Sequence, residues 1–179
     1  MRNLLKRIAQ LFKRAAPKSK KATAGLTAIA VSAAAFIGPW EGLRTTAYPD
    51  ALARNIPTVC YGETRGVKRG DTYTDAQCAA MLQRGLVTYR DGLHEYFTPE
   101  TKGLRLTPER DAAYVSLAYN AGIRGIGRST AVRRLNDGDI VGGCKALQWW
   151  NKAGKRIIRG LVNRRADEHA LCMVGVNGA

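Results

Sequence analysis

Residues 40–62 read WEGLRTTAYPDALARNIPTVCYG, and the parsing of that stretch decides the fold. Thr45–Tyr48 and Thr58–Tyr61 are short runs of β-formers separated by Pro49, Asn55 and Pro57, and Gly62, Gly66 and Gly70 punctuate the chain beyond them. The pattern predicts a small hairpin or three-stranded sheet. Glu41 stands just ahead of it, Asp50 follows Pro49 in a turn, and Thr58 opens the second run. Two carboxylates and a hydroxyl therefore fall within one short window.

Toward the C-terminus the periodicity becomes helical. Thr74-Asp75-Ala76-Gln77 has the capping-box form, and Cys78, Met81, Leu82, Leu86 and Leu93 mark the apolar face of a long helix. Thr107 and Pro108 begin another, running to about Asn120; Ser129 or Thr130 begins a shorter one that stops at Asn136-Asp137-Gly138. Residues 139–151 and roughly 160–173 complete a helical lobe. The fold class read from these elements is α+β, mostly α, with a small sheet beside a helical lobe and an apolar helix ahead of both.

Toward the N-terminus the composition changes abruptly. Arg2, Lys6, Arg7, Lys13, Arg14, Lys18, Lys20 and Lys21 all precede the first acid, and Ala22–Trp40 then carries no charge over nineteen residues. Leu4, Leu5, Ile8, Leu11 and Phe12 fall at helical spacing among the first of those cations, which suits either a basic amphipathic helix at a membrane surface or a solvated tail. The uncharged stretch is close to the ~20 residues a spanning helix needs. It is rich in alanine with glycine, serine and threonine, so its transfer into lipid is only weakly favourable. A helix of that kind can enter a membrane and later leave it. Three fates fit: an uncleaved anchor, a signal peptide cleaved near Ser32–Ala35, and a buried alanine-rich helix. The anchor is preferred, because the basic head is long for a signal and the segment offers no polar face to water. The division is thus 1–39, basic arm and anchor, and 40–179, one catalytic domain of a size that supports a single core. The basic head places the N-terminus in the cytoplasm and Glu41 onward across the membrane.

The chain has 29 Lys and Arg against 14 Asp and Glu, a net charge of +15. Nucleic acid, anionic lipid and the acidic bacterial wall are all attracted by such a charge, which does not choose among them. Cys60, Cys78, Cys144 and Cys172 lack CxxC spacing, which argues against zinc, and three disulfide pairings are open to them, as is a set of four buried thiols. His94 and His169 are too poorly accompanied to form a metal site. No cofactor is implied.

Cleaving a glycosidic bond needs one acid to protonate the leaving oxygen and one carboxylate to position water or attack the anomeric carbon. Glu41, beside Trp40 at the end of an apolar segment, suits the first role, and Asp50 the second. The Thr58 hydroxyl is suited to share a water with Asp50. The bland alternative is a pair of solvated loop carboxylates.

Longer matches sharpen the choice. Trp40-Glu41-Gly42-Leu43-Arg44, Ala47-Tyr48-Pro49-Asp50 and Thr58-Val59-Cys60-Tyr61-Gly62 resemble the Glu, Asp and Thr blocks of the phage-type lysozymes. Ser116–Gly122, Ser129-Thr130, Arg134-Leu135-Asn136 and Gly160–Arg165 extend the likeness over about residues 40–175. The weakly apolar N-terminus resembles that of the signal-arrest-release endolysins.

The resemblance implies a two-lobed muramidase that hydrolyses the β-1,4 bond between N-acetylmuramic acid and N-acetylglucosamine. Glu41 is its general acid, with Asp50 and Thr58 directing water. It further implies a monomer whose partners are peptidoglycan and, through residues 22–39, the host inner membrane. From there the enzyme is released to the periplasm, and no specific nucleic-acid partner is implied. Two departures stand out. Seven residues separate Asp50 from Thr58 where the family more often has five, and Glu63 stands where many members carry histidine, making it a second candidate acid.

Other readings compete for the rest of the chain. Trp149 and Trp150 fit either core or sugar cleft, Asn120 a helix cap or a cleft contact, and the run from Lys155 to Arg165 a solvated face or an anion-binding one. At the level of the whole protein the alternatives are a non-enzymatic cationic membrane- or nucleic-acid-binding protein and an inactive wall-binding lysozyme relative.

Overall fold

The computed structural model describes residues 36–50 and 55–176. The basic arm and most of the proposed anchor therefore lie outside the described residues. Residues 36–41 are helical and lead into β1 (Arg44–Asp50), which pairs antiparallel with β2 (Ile56–Cys60). The register sets Tyr48 opposite Thr58 and Asp50 opposite Ile56. A third segment joins through Thr46 and Thr72, with Ala47 N donating to Asp71 O and Tyr73 N to Thr45 O, both at 2.9 Å. The small sheet is thus a hairpin with one further bridged segment.

Helix α1 (Asp75–His94) starts at the Thr74 capping box and carries Cys78, Leu82, Leu86 and Leu93 into the interior. A π-helical turn (Thr101–Arg105) precedes α2 (Pro108–Ala121), and α3 (Ile123–Gly127), α4 (Thr130–Asn136) and α5 (Ile140–Leu147) follow. A short hairpin, β3 (Lys152–Ala153) with β4 (Arg156–Ile157), leads to α6 (Arg159–Cys172). The sequence pattern located α1, α2, α4, α5 and α6 but not the π turn, α3 or this second hairpin. Two-residue strands and single turns bury too little to leave a periodic trace.

Helix α2 is the centre of the lobe, with Arg110 to Ala118 buried without a break. Such a helix shows no amphipathic stripe because it is covered on every side. Its three polar buried side chains are all engaged: Arg110 donates from Nε to Cys172 O at 3.1 Å, Asp111 accepts from Arg90 at 2.6 Å and lies 2.8 Å from His94, and Ser116 donates to Glu168 at 2.6 Å. The central helix is thereby tied to α1 and α6.

Two disulfides complete the frame. Cys60–Cys78 joins β2 to α1, and Cys144–Cys172 joins α5 to α6. By the chain-entropy estimate each contributes about 3 kcal/mol. The four-thiol alternative is replaced by two crosslinks, one for each lobe.

Candidate active site

Glu41 is delivered by a helix that ends on it. Gly42 follows with φ 69°, the left-handed conformation that terminates helices and that glycine adopts without a Cβ clash, and the chain turns at once toward β1. Ile37, one helical turn before Glu41, is fully buried and Phe36 nearly so, both within the main core. The backbone that carries the acid is therefore fixed by apolar packing.

The side chain is fixed by charge. Arg164 Nη1 donates to Glu41 Oε1 at 2.7 Å, with Glu41 retaining 21% of its side-chain exposure and Arg164 only 5%. Behind Arg164 lies Glu168, whose Oε1 accepts from Ser116 Oγ at 2.6 Å, Arg164 Nε at 3.2 Å and Arg165 Nη2 at 2.7 Å. Arg165 Nε and Glu168 Oε2 are 2.7 Å apart as an ion pair without a directed hydrogen bond. Two arginines thus face two glutamates within one cluster. Burial pushes the Glu168 carboxyl above the usual carboxylate range, with Arg165, Ser116 and Arg164 acting against it. Burial likewise lowers Arg165, and Glu168 opposes that.

Glu41 opens onto a cleft of about 720 Å³ between the lobes. One wall is the turn from Tyr61 to Arg65, another the Met81–Tyr89 face of α1, and Tyr119 of α2 contributes from the helical side. The turn is tight: Val59 and Glu63 exchange backbone hydrogen bonds at 2.9 Å, with Cys60 at φ 58° and Gly62 at φ 93°. Tyr119 Oη donates to Tyr61 O at 2.9 Å, linking the helical lobe to that turn, and its ring lies 4.9 Å from the Tyr89 ring. Burial and then Glu41 raise the Tyr119 phenol, so its proton stays in this bond at neutral pH.

The other expected site residues fall as follows. Asp50 closes β1, and its carbonyl accepts from Asn55 N at 2.7 Å. Thr58 is buried on β2, and its hydroxyl donates to Ile56 O at 3.0 Å. The cleft described above is lined by Glu41 and Glu63 but by neither Asp50 nor Thr58, and residues 51–54 between them lie outside the described residues. Glu63 accepts through Oε1 from the backbone of Thr64 at 3.0 Å and Arg65 at 2.8 Å, which braces the turn.

Several sequence readings are corrected. Asn120 does not cap α2, which closes at Gly122; its Oδ1 accepts from Arg165 Nη1 at 3.2 Å. Trp150 packs against the core, while Trp149 is exposed with the Arg134 guanidinium 5.4 Å from its ring, and neither lines the Glu41 cleft. The basic run divides: Lys155, Arg156 and Arg159 are exposed, but Arg164 and Arg165 are buried against Glu168. The missed residues are Ser116, Tyr119 and Glu168. Glu168 lies three and four residues beyond Arg165 and Arg164, the helical spacing of ion pairs, and that was its available signal. Among the described residues no group of three His, Cys, Asp or Glu is arranged to hold a metal ion.

Comparison with known proteins gives the family and the fold. The phage lysozyme family model matches residues 38–168. Among curated relatives, the SAR-endolysin of Bacteriophage PS119 is 36% identical over 83% of this chain and 88% of its own. That of Enterobacteria phage P21 is 36% identical over 89% of this chain and 98% of its own. Among solved structures, a mutant of P22 lysozyme superposes with a TM-score of 0.68 at 28% identity, covering 87% of this chain and 99% of that one. The muramidase domain of SpmX from Asticaccaulis excentricus gives 0.68 at 26% identity, covering 87% and 99%. The chain belongs to the phage lysozyme family, the muramidase glycoside hydrolases that lyse peptidoglycan.

Proposed function

We propose that Glu41 is the general acid of an endolysin that cuts the bond between N-acetylmuramic acid and N-acetylglucosamine. The observation that carries this reading is the Glu41 carboxyl group at the mouth of an interlobe cleft, held by Arg164 at 2.7 Å on a helix end whose Ile37 is buried in the core. A glycosidic oxygen beside Glu41 receives its proton as the bond to the anomeric carbon breaks. The water that completes hydrolysis is assigned to Asp50 and Thr58 on the phage-lysozyme resemblance of their sequence blocks, with both residues outside the lining of the cleft at Glu41. Glu41→Gln keeps the size of the side chain and removes the proton. It is expected to lower reducing-sugar release from purified wall by at least a hundredfold while leaving wall binding in place. Near-parental release by that variant overturns the assignment.

We further infer that residues 22–39 act as an uncleaved anchor that holds the enzyme at the inner membrane until it is released to the periplasm. Relatives named SAR-endolysin support the reading. Phe36 and Ile37, within the apolar segment, are core residues of the folded enzyme, so these two side chains cannot occupy lipid and core together. The tethered form is then poorly active because Glu41 is not seated. Among the described residues no helix is long and apolar enough to cross a membrane. The intact mass of the periplasmic enzyme tests the anchor: the full-chain mass supports it, and loss of about 35 residues supports a cleaved signal.

A further inference from the structure

From Lys152 to Gly160 every residue is exposed, although the segment is folded. Strands β3 and β4 turn through Gly154 and Lys155, with Gly154 at φ 58° as a two-residue hairpin turn requires of its first position, and Ile158 N donates to Asn151 O at 3.0 Å at the base. Lys152, Lys155, Arg156 and Arg159 are cationic, and among the described residues none of their side chains has a hydrogen-bond or ion-pair partner. No acid occurs between Asp139 and Asp167 to neutralise them locally. Apolar side chains stand among these cations. Ile157 is 64% exposed and Ile158 39%, and Val162, also 39% exposed, lies one helical turn beyond Ile158 and donates from its backbone to Ile158 O at 3.0 Å. None of these residues lines the cleft that holds Glu41.

Cations alone answer to any polyanion, but the polar chains of nucleic acid and of wall polymer leave exposed isoleucine and valine in contact with water. The surface of an anionic bilayer differs. It offers phosphates to the cations and, at the acyl boundary just beneath, a place for the apolar side chains. The stems of Lys and Arg lie along apolar surface while their heads reach phosphate, so the two sets of side chains do not compete. We propose that the β3–β4 hairpin, with Ile158, Arg159 and Val162, docks the folded domain on an anionic phospholipid surface. The contact is separate from residues 22–39 and holds whether or not that segment lies in a membrane. It uses no residue of the cleft lining, so a docked domain keeps Glu41 available to substrate.

The test follows amide hydrogen exchange of the full chain, disulfides intact, because the basic arm also attracts anionic lipid and total binding would not report on the hairpin. Exchange is read over residues 152–160 with vesicles of equimolar phosphatidylglycerol and phosphatidylcholine, and with vesicles of phosphatidylcholine alone. It should slow about fivefold on the first and stay unchanged on the second. A Lys155→Gln, Arg156→Gln, Ile157→Ser variant should lose that protection while releasing reducing ends from solubilised glycan as fast as the parent, which shows that it is folded. Unchanged exchange over 152–160 on the anionic vesicles overturns the proposal, with or without the variant. So does a folded variant that keeps the parental protection, and so does equal protection of the parent by soluble wall fragments or duplex DNA, which would make the hairpin a general polyanion binder.

Discussion

Arg164 reaches across 123 residues of chain to place its Nη1 atom 2.7 Å from Glu41 Oε1, and the same guanidinium donates from Nε to Glu168 Oε1 at 3.2 Å. The first contact orients an acid that is partly open to solvent, and the second anchors the guanidinium in the interior. Lysine cannot reproduce both, because its ammonium is a single point without the planar fork. Arg164→Lys is expected to lower kcat by about ten- to a hundredfold with little change in KM, read on purified wall. An equal rise in KM and fall in kcat would assign Arg164 to substrate binding instead.

Glu168 has no contact with solvent and faces both arginines. Glu168→Gln keeps its shape and removes the charge, leaving Arg165 and Arg164 less well compensated in the interior. Breaking a buried ion pair from one side costs about 3–5 kcal/mol. Urea unfolding of the variant should show an unfolding free energy lowered by that order, with an unchanged slope. A variant as stable as the parent would mean that water enters the cluster and screens it.

Ile37 is the apolar counterpart of Arg164. It lies four residues before Glu41 on the same helical segment and is wholly buried. Ile37→Ala should cost about 2–5 kcal/mol in stability by cavity formation. It should also lower kcat in the folded fraction, since the helix end that carries Glu41 loses its footing. Full activity per folded molecule would show that Arg164 alone positions the acid.

The sequence exposed the frame more readily than the cluster that arms it. The Thr74 capping box, the Thr107-Pro108 start and the Ser129 cap all mark real helix beginnings, because caps are local chemistry written in adjacent residues. Glu41 stood out because it is the first acid after a long uncharged stretch. The Arg164–Glu41 pair was illegible because nothing local links residues so far apart, and a buried arginine looks like an exposed one in a basic run. Burial of Phe36 and Ile37 was hidden for a related reason: an alanine-rich segment reads equally as lipid-facing or core-facing, and only tertiary packing decides for these two residues.

His169 provides a pH test. Burial, then Lys145, lowers its pKa below the usual 6.5, so the folded state favours the neutral ring. The folded protein therefore binds fewer protons here than the unfolded chain, and stability is lost as pH falls through 6.5 toward the depressed folded value. Replacing the ring by Gln removes that term. The stability of His169→Gln, measured by urea unfolding, should decline less between pH 7 and pH 5 than that of the parent; equal declines would place the ring in water.

The two disulfides should separate activity from stability. Cys60–Cys78 binds β2 to α1, and Cys60 belongs to the tight Val59–Glu63 turn that forms one wall of the cleft, while α1 forms another. Cys144–Cys172 joins α5 to α6 in the helical lobe, with neither residue in the lining of that cleft. Loss of either crosslink relaxes the unfolded chain by a similar amount, about 3 kcal/mol, because the enclosed loops are of comparable length at 18 and 28 residues. Loss of the first also frees two walls of the site to move apart. Cys60→Ser with Cys78→Ser should therefore lower kcat/KM on wall well beyond the loss of folded protein. Cys144→Ser with Cys172→Ser should lower the melting temperature similarly and leave kcat/KM of the folded fraction within about twofold. Equal activity losses from the two pairs would show that the cleft is held by Tyr119 and the core, with no separate contribution from the β2 crosslink.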